Sequence, residues 1–413
     1  MREERLERQL RIEGWDQRVL EEAKIGVVGD DDLLASLYIM SSSALGLNNL
    51  VVIAPRLNET LREVAQKVNP ALNLVFTEGF YAHPVLDEIF EGCKVIVDLS
   101  QYGLANKLLL QKGFKENIPI IRGFCHEEDA EDGFKIFTYM KGREWRELAQ
   151  VVSPENLPSH HFDDGVLDMI ASGIALEETK NALMGQRVSE DVIAYKRNKL
   201  AGRRYDPRIC VVGAGAIGNF VGLGLAYCGF RNMTFIDPDV ADVTNLNRQV
   251  FLAEAIGLSK AKTLCERLNN LFGIDGRAEV TYFRRDSDIS AYDVIFDCVD
   301  NFETKIVLSE KCKEEKKVLI SGGTSVDAGQ VVVYDPTHGR GAPAEVLGLY
   351  EVVERRQIET YQRERASCAY QPDGSVIMTN QIIAGFMIDS YRMLLEGEEA
   401  TNIFYDSRSD KRI

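Results

Sequence analysis

Two stretches of this chain run through the same features in the same order, their leading glycines 184 positions apart, and a repeat of that length constrains the fold more than any single motif. Lys24-Ile-Gly-Val-Val-Gly29 opens a helical pattern that closes at Gly46 and runs into Asn49-Leu-Val-Val-Ile-Ala-Pro55. Arg208-Ile-Cys-Val-Val-Gly213 opens another that closes at Gly229 and runs into Met233-Thr-Phe-Ile-Asp237. Further on, Lys94-Val-Ile-Val-Asp98 answers Asp293-Val-Ile-Phe-Asp297, and Ile118-Pro-Ile-Ile-Arg-Gly123 answers Val318-Leu-Ile-Ser-Gly322. The ends correspond too: Asp163-Asp-Gly165, a helix and Val192-Ile-Ala-Tyr195 match Pro372-Asp-Gly374, a helix and Asn402-Ile-Phe-Tyr405. The chain reads as two copies of one unit, residues 1–200 and 201–413, joined near Asn198 to Tyr205.

Short Val/Ile-rich runs alternate with longer helical patterns in each copy, which predicts parallel sheets wrapped by helices: two tandem Rossmann-like α/β halves. Sixty-four acidic against 48 basic residues give a net charge of −16, which argues against nucleic acid as a partner. No run of about 18 apolar residues predicts a membrane span, and the N-terminal residues show no export signal. Eight cysteines without a Cys-x-x-Cys pair suit a reducing, cytoplasmic setting and predict no zinc site. The five histidines form no ligand pattern.

Only the second copy is equipped for a nucleotide. Gly213-Ala-Gly215-Ala216-Ile217-Gly218 follows a strand and opens a helix, whose first N–H groups and positive dipole end suit phosphate. Asp237 ends the next strand, where a carboxylate can accept from ribose hydroxyls. In the first copy the same turn reads Gly29-Asp-Asp-Asp-Leu-Leu34; its carboxylates repel phosphate and are expected to cap the helix themselves. The counterpart of Asp237 lies in Ile53-Ala-Pro55, which has no acid.

A glycine turn and Asp237 would also satisfy a dinucleotide dehydrogenase, so the residues beyond must discriminate. Asn245-Leu-Asn-Arg248-Gln249 and Gly257-Leu-Ser-Lys260 place two cations at the crevice rim, where they could neutralise a triphosphate. Taken singly, each also reads as part of a solvated helix face. Asp300, just past the end of the fourth strand in Asp297-Cys-Val-Asp300-Asn301, suits a Mg²⁺ ion that keeps most of its waters. Capping the helix that begins at Phe302 is its alternative role. Gln101 replaces it in the first copy.

Together these motifs resemble the ThiF/MoeB/HesA superfamily, the adenylating fold shared with ubiquitin-activating enzymes. The resemblance is strong over 205–335 and 366–408 and weaker but continuous over 1–200. It implies that ATP-Mg²⁺ binds, a carboxylate attacks the α-phosphate, and an acyl adenylate forms with release of pyrophosphate. Asp237 and Asp239 would then hold the ribose, Arg248 and Lys260 the phosphates, and Asp300 the metal. Asn245, Gln249 and Asn301 complete the implied nucleotide set.

Arg5-Leu-Glu-Arg8-Gln9 resembles the family's N-terminal Arg-x-x-Arg-Gln, whose second arginine reaches into a partner's ATP site. Here it precedes the degenerate copy, as in eukaryotic activating enzymes, so Arg8 is expected to act across the halves of one pseudo-dimer; the bland reading is a surface residue of an amphipathic helix. Cys368 lies where some members carry a nucleophilic cysteine, and packing at a turn remains open to it. Three departures stand out: no zinc pairs, no sulfurtransferase-like or ubiquitin-fold extension after Asp406, and a charged helix-like segment from His338 to Arg365. The expected substrate is the C-terminal carboxylate of a ubiquitin-like or sulfur-carrier protein. A peptide or small-molecule carboxylate, a non-catalytic scaffold and, last, an NAD-dependent oxidoreductase are the alternatives, and further homodimerisation is left open.

Overall fold

The computed structural model describes residues 2–31, 33–142, 148–156, 162–339, 341–355, 374–409 and 411–413. Each copy contributes one seven-stranded sheet. The first holds β1 (Lys24–Val28), β2 (Asn49–Ala54), β3 (Asn73–Glu78), β4 (Val95–Asp98), β5 (Ile120–Glu128), β6 (Glu131–Tyr139) and β7 (Ile193–Asn198), in the order β3-β2-β1-β4-β5-β6-β7. The second holds β8 (Ile209–Val212), β9 (Asn232–Ile236), β10 (Asp275–Glu279), β11 (Val294–Asp297), β12 (Val318–Thr324), β13 (Ala328–Tyr334) and β14 (Ile403–Asp406), in the order β10-β9-β8-β11-β12-β13-β14. The two orders are the same, which confirms the expected tandem architecture.

In each sheet the first five strands are parallel and the last two antiparallel. Strand order reverses between β1 and β4 and between β8 and β11. A crevice at the carboxyl ends of such a pair is where an open α/β sheet takes its ligand.

The halves meet through helices Gly165–Leu183 and Ile377–Leu395, which are buried along most of their length because each lies between its own sheet and the other half. An added Cβ on Gly173 would stand 2.7 Å from Ile382 Cγ1, and one on Gly385 would stand 2.4 Å from Ile170 Cγ1. That reciprocity is the mark of a two-fold relation, here within one chain. Gln381 Nε2 donates to Met169 O at 2.9 Å and Ser172 Oγ at 2.6 Å, and Ser41 Oγ donates to Gln381 Oε1 at 2.5 Å. One apolar core runs through both halves, and each sheet has a smaller core on its outer face.

Ion pairs lock the same interface. Arg197 reaches Asp389 at 2.9 Å, Asp132 at 2.8 Å and Asp164 at 2.7 Å, while Arg412 reaches Glu178 at 2.6 Å. A residue just after or at the end of each half's last strand thus grips an acid on the other half's long helix. No described helix is long and apolar enough to cross a membrane.

Candidate nucleotide site

Gly213 leaves β8 with φ +99°, a left-handed conformation that favours glycine. A Cβ there would stand 2.7 Å from Cys298 O, and one on Gly218 would stand 2.0 Å from Gly213 O, so both glycines are required by the protein's own packing. Gly215 differs. Its added Cβ would meet only Gln249 Nε2, at 3.8 Å. Gly215 is also the N-cap of helix Ala216–Tyr227 and supplies no side-chain cap, so the first-turn N–H groups of Ala216, Ile217 and Gly218 face the crevice side of the turn without one. The protein's own packing therefore does not require glycine at 215, and the space beside it is open to a ligand.

Asp237 is buried at the end of β9, and its carboxylate accepts from Ala214 N at 2.7 Å and Asp239 N at 2.8 Å. Burial raises its pKa against those two bonds. It therefore anchors the glycine turn, a duty beyond the expected ribose contact. Lys260, at the start of helix Lys260–Phe272, donates to Asp239 Oδ2 at 2.9 Å. Residues expected at opposite ends of a nucleotide, Asp239 at the ribose and Lys260 at the phosphates, here form one ion pair.

Arg248 is buried and donates through Nη1 to Thr244 O at 3.0 Å and Asn247 Oδ1 at 2.8 Å. Burial, then the nearby charge of Arg8, pushes its pKa down to about 10 against the pull of Asp300. Arg248 thus feels charges from helix Arg2–Leu10 and from the loop after β11, two separate parts of the chain. Helix Arg2–Leu10 packs on residues Val243–Asn245 of the other copy, and Asn247 Nδ2 donates to Gln9 Oε1 at 3.2 Å. The N-terminal arginine motif thus lies against the second half.

Asn245 closes a capping box, its Oδ1 accepting from Asp242 N at 3.0 Å. Gln249 is 4% exposed, and its Oε1 has no hydrogen-bond partner among the described residues. A buried orphan acceptor beside Gly215 is costly unless a ligand donor meets it.

Asp300 is exposed at the end of β11 and has no hydrogen-bond partner among the described residues. The helix cap that was its alternative role belongs to Asn301, whose Oδ1 accepts from Thr304 N at 2.8 Å. Asn301, expected to touch the nucleotide, is therefore engaged in that cap. Among the described residues no group of three or more His, Cys, Asp or Glu side chains could hold a metal. A single carboxylate next to phosphate oxygens and water fits Mg²⁺, and Asp300 would hold it.

The first half spends its polar groups on itself. Asp30 accepts from Gln101 N at 2.6 Å and Asp31 pairs with Arg56, while Asp32, the third acid expected to cap the helix, lies outside the described residues. Leu33 occupies the N-cap position without a side-chain hydrogen bond. Gln101 Nε2 donates to Phe162 O at 2.7 Å while Phe162 N donates back to Gln101 Oε1 at 3.1 Å.

Asn219 was missed by sequence reasoning. Fully buried, it donates to Ala214 O at 3.0 Å and Gly215 O at 2.9 Å and accepts from Phe251 N at 3.1 Å, tying the glycine turn to the stretch after Gln249. An asparagine in an apolar first helical turn, where it is a poor helix former, was the available signal. Cys368 and the part of the charged segment from 356 to 365 lie outside the described residues; Glu351–Arg355 is helical.

Residues 199–408 match the family model described as ThiF family. The Arabidopsis thaliana protein named adenylyltransferase and sulfurtransferase MOCS3 is 34% identical over 136 residues, 32% of this chain and 29% of that protein. Ubiquitin-like modifier-activating enzyme 5 of Caenorhabditis briggsae is 26% identical over 225 residues, 50% of each. Among solved structures, E. coli MccB with ATP aligns over 49% of this chain and 61% of that one, with 18% identity and a TM-score of 0.40. The chain spans between 29% and 50% of the length of these two curated relatives. With half of its residues matched by the family model, and the nucleotide motifs in the matched half, the chain belongs to the ThiF family.

Proposed function

We propose that the second half, residues 201–413, binds ATP and adenylates the C-terminal carboxylate of a ubiquitin-like or sulfur-carrier protein, with residues 1–200 as its non-catalytic partner. The observation that carries this reading is the glycine turn at the strand crossover, left open at Gly215, with the other half's helix Arg2–Leu10 packed on Val243–Asn245 beside it. Proteins of the two relatives' printed kinds, a modifier-activating enzyme and an adenylyltransferase, support the class of reaction.

A substrate carboxylate oxygen attacks the α-phosphorus, an acyl–oxygen–phosphorus bond forms, and the bond to the β-phosphate breaks with the electron pair leaving on pyrophosphate. The turn from Gly213 to Gly218 orients the phosphates through backbone N–H groups, and Arg248, Arg8 and Lys260 offset the charge that builds during attack. For Lys260 to do so it must leave Asp239, which then turns to the ribose. Mg²⁺, held by Asp300, would neutralise phosphate charge. Gln249 offers its orphan acceptor to a nucleotide donor.

Carboxylate-dependent exchange of labelled pyrophosphate into ATP tests the reading. Exchange that requires a carrier protein ending in an exposed tail, and that is lost in Asp300→Asn, is the expected result. ATP binding without exchange under any carboxylate would mark a scaffold, and exchange with a small acid or peptide alone would move the substrate class.

A further inference from the structure

The end of the second sheet opposite the nucleotide crevice holds a cavity of about 710 Å³, lined by the linker into β8, the residues before β9 and the end of helix Ile377–Leu395. The first half shows what belongs at this place in the fold. There the C-terminus of helix Leu34–Leu45 is covered by helices Arg2–Leu10 and Gln17–Glu22: Arg5 Nη1 donates to Ala44 O at 2.7 Å and Gln9 Nε2 to Leu45 O at 2.8 Å. A Cβ added to Gly46 would stand 2.4 Å from Gln17 Nε2. The counterpart of Gly46 is Gly229, after helix Ala216–Tyr227, and a Cβ added there would meet nothing within 4 Å. Residues 199–208 enter β8 without forming a helix. The second half therefore has the berth but not the helices that fill it.

The lining states the chemistry of an occupant. Arg203, Arg204, Arg231 and Arg392 face the cavity in a chain of net charge −16. Arg392 is locked to Asp164 and Asp389 and serves as wall. Arg203 is exposed and only 4.0 Å from Glu396, Arg204 is exposed, and Arg231 spends one nitrogen on the carbonyls of Phe272 and Gly273. Three guanidinium groups thus retain donors for carboxylates, against one exposed acid, Asp206. Leu200, Phe230 and Leu395 supply an apolar floor. We propose that this cavity is a docking site for a helical, acidic segment of a partner polypeptide, lying in the place that helix Arg2–Leu10 holds in the first half but gripped through its carboxylates by the arginines rather than through donors to helix-end carbonyls. The helical form comes from that internal precedent, and the acidity from the arginines.

The test uses the full chain and a fluorescein-labelled peptide of roughly 15 residues, helical by design, with glutamates on one face and leucines beside them. Its controls are a glutamine-for-glutamate copy and a proline-broken copy of the same composition. Anisotropy titrations should show saturable binding of the acidic helix, at least ~10-fold weaker binding of either control, and a similar loss in the double variant R203E/R204E. Both side chains are exposed and far from the crevice, so the variant should keep its thermal midpoint and its pyrophosphate exchange. Equal binding of the glutamine copy, equal binding of the broken copy, an unaffected R203E/R204E protein, or no saturable binding would each overturn the proposal. Because exchange is read separately, failure here leaves the adenylation reading untouched, and the converse holds.

Discussion

Replacing Arg197 by methionine should be among the most damaging single changes to this fold. Its guanidinium, 1% exposed, bonds three buried carboxylates, Asp132, Asp164 and Asp389, the last from the other half. Arg392 is the second cation of the cluster, 2.8 Å from Asp164 and 3.4 Å from Asp389. R197M leaves three acids facing one cation, and removing one partner from a buried ionic cluster costs about 3–5 kcal/mol. Methionine keeps most of the apolar volume, so the loss is electrostatic. Equilibrium unfolding in urea measures it, and because Asp389 belongs to the second half, weakened coupling of the halves should broaden or split the transition. A loss below about 1 kcal/mol would refute the view that this cluster locks the pseudo-dimer.

The pH dependence gives an independent check. Burial alone would raise the pKa of Asp164, but Arg392 and then Arg197 hold it down at about 2, below its ordinary 3.8. A depressed carboxylate contributes stability that is complete above the unfolded value and lost as pH falls through the folded one, here between about 4 and 2. In R197M Asp164 loses one of the two cations that hold its pKa down, so part of that contribution is already gone. The stability gap between wild type and R197M should therefore narrow as pH falls from about 4 toward 2. A gap that stays constant would show that packing, not charge, was lost.

Arg8→Ala should cut pyrophosphate exchange by ~10³-fold, as loss of an arginine finger does, with unchanged thermal melting; a wild-type rate would remove Arg8 from the site. Gly215→Ala should fold normally and bind ATP at least ~10-fold more weakly, whereas Gly218→Ala, with its Cβ 2.0 Å from a backbone oxygen, should fold poorly; equal melting of the two variants would contradict the packing argument. Asn219→Ala should cost about 2–3 kcal/mol through three lost hydrogen bonds and raise the KM for ATP, read from urea titration and initial rates; unchanged KM would confine Asn219 to stability.

Much of the fold was legible because buried parallel strands leave apolar runs that survive divergence: Lys24-Ile-Gly-Val-Val-Gly29 and Arg208-Ile-Cys-Val-Val-Gly213 do become β1 and β8 with their turns. The glycine turn from Gly213 to Gly218 was legible for the same local reason, though not that packing alone fixes Gly218. What could not be read was pairing over distance. Nothing near Arg197 in the sequence announces Asp389, and nothing near Lys260 announces that Asp239 will hold it. Asp30, just after Gly29, is a third such case: it meets Gln101 N from a neighbouring strand end, a difference from the second half that nothing beside it in the sequence announces.

That last difference bears on why the first half has kept its shape. Both copies retain a buried carboxylate at the end of the fourth strand, but its counter-ion has moved: Lys305 on the following helix holds Asp297 at 3.0 Å, whereas Arg122 on β5 stands 3.8 Å from Asp98. In the second half the glycine turn and Gln249 Oε1 leave hydrogen-bonding capacity unused among the described residues. In the first, Asp30, Gln101 and Phe162 consume theirs in bonds to one another. A buried polar group costs least when its partner is always present, so a copy released from binding a ligand gains stability by replacing that ligand with its own residues. Such a copy becomes a firmer wall for the other, which is what the proposed presentation of Arg8 across the interface would require.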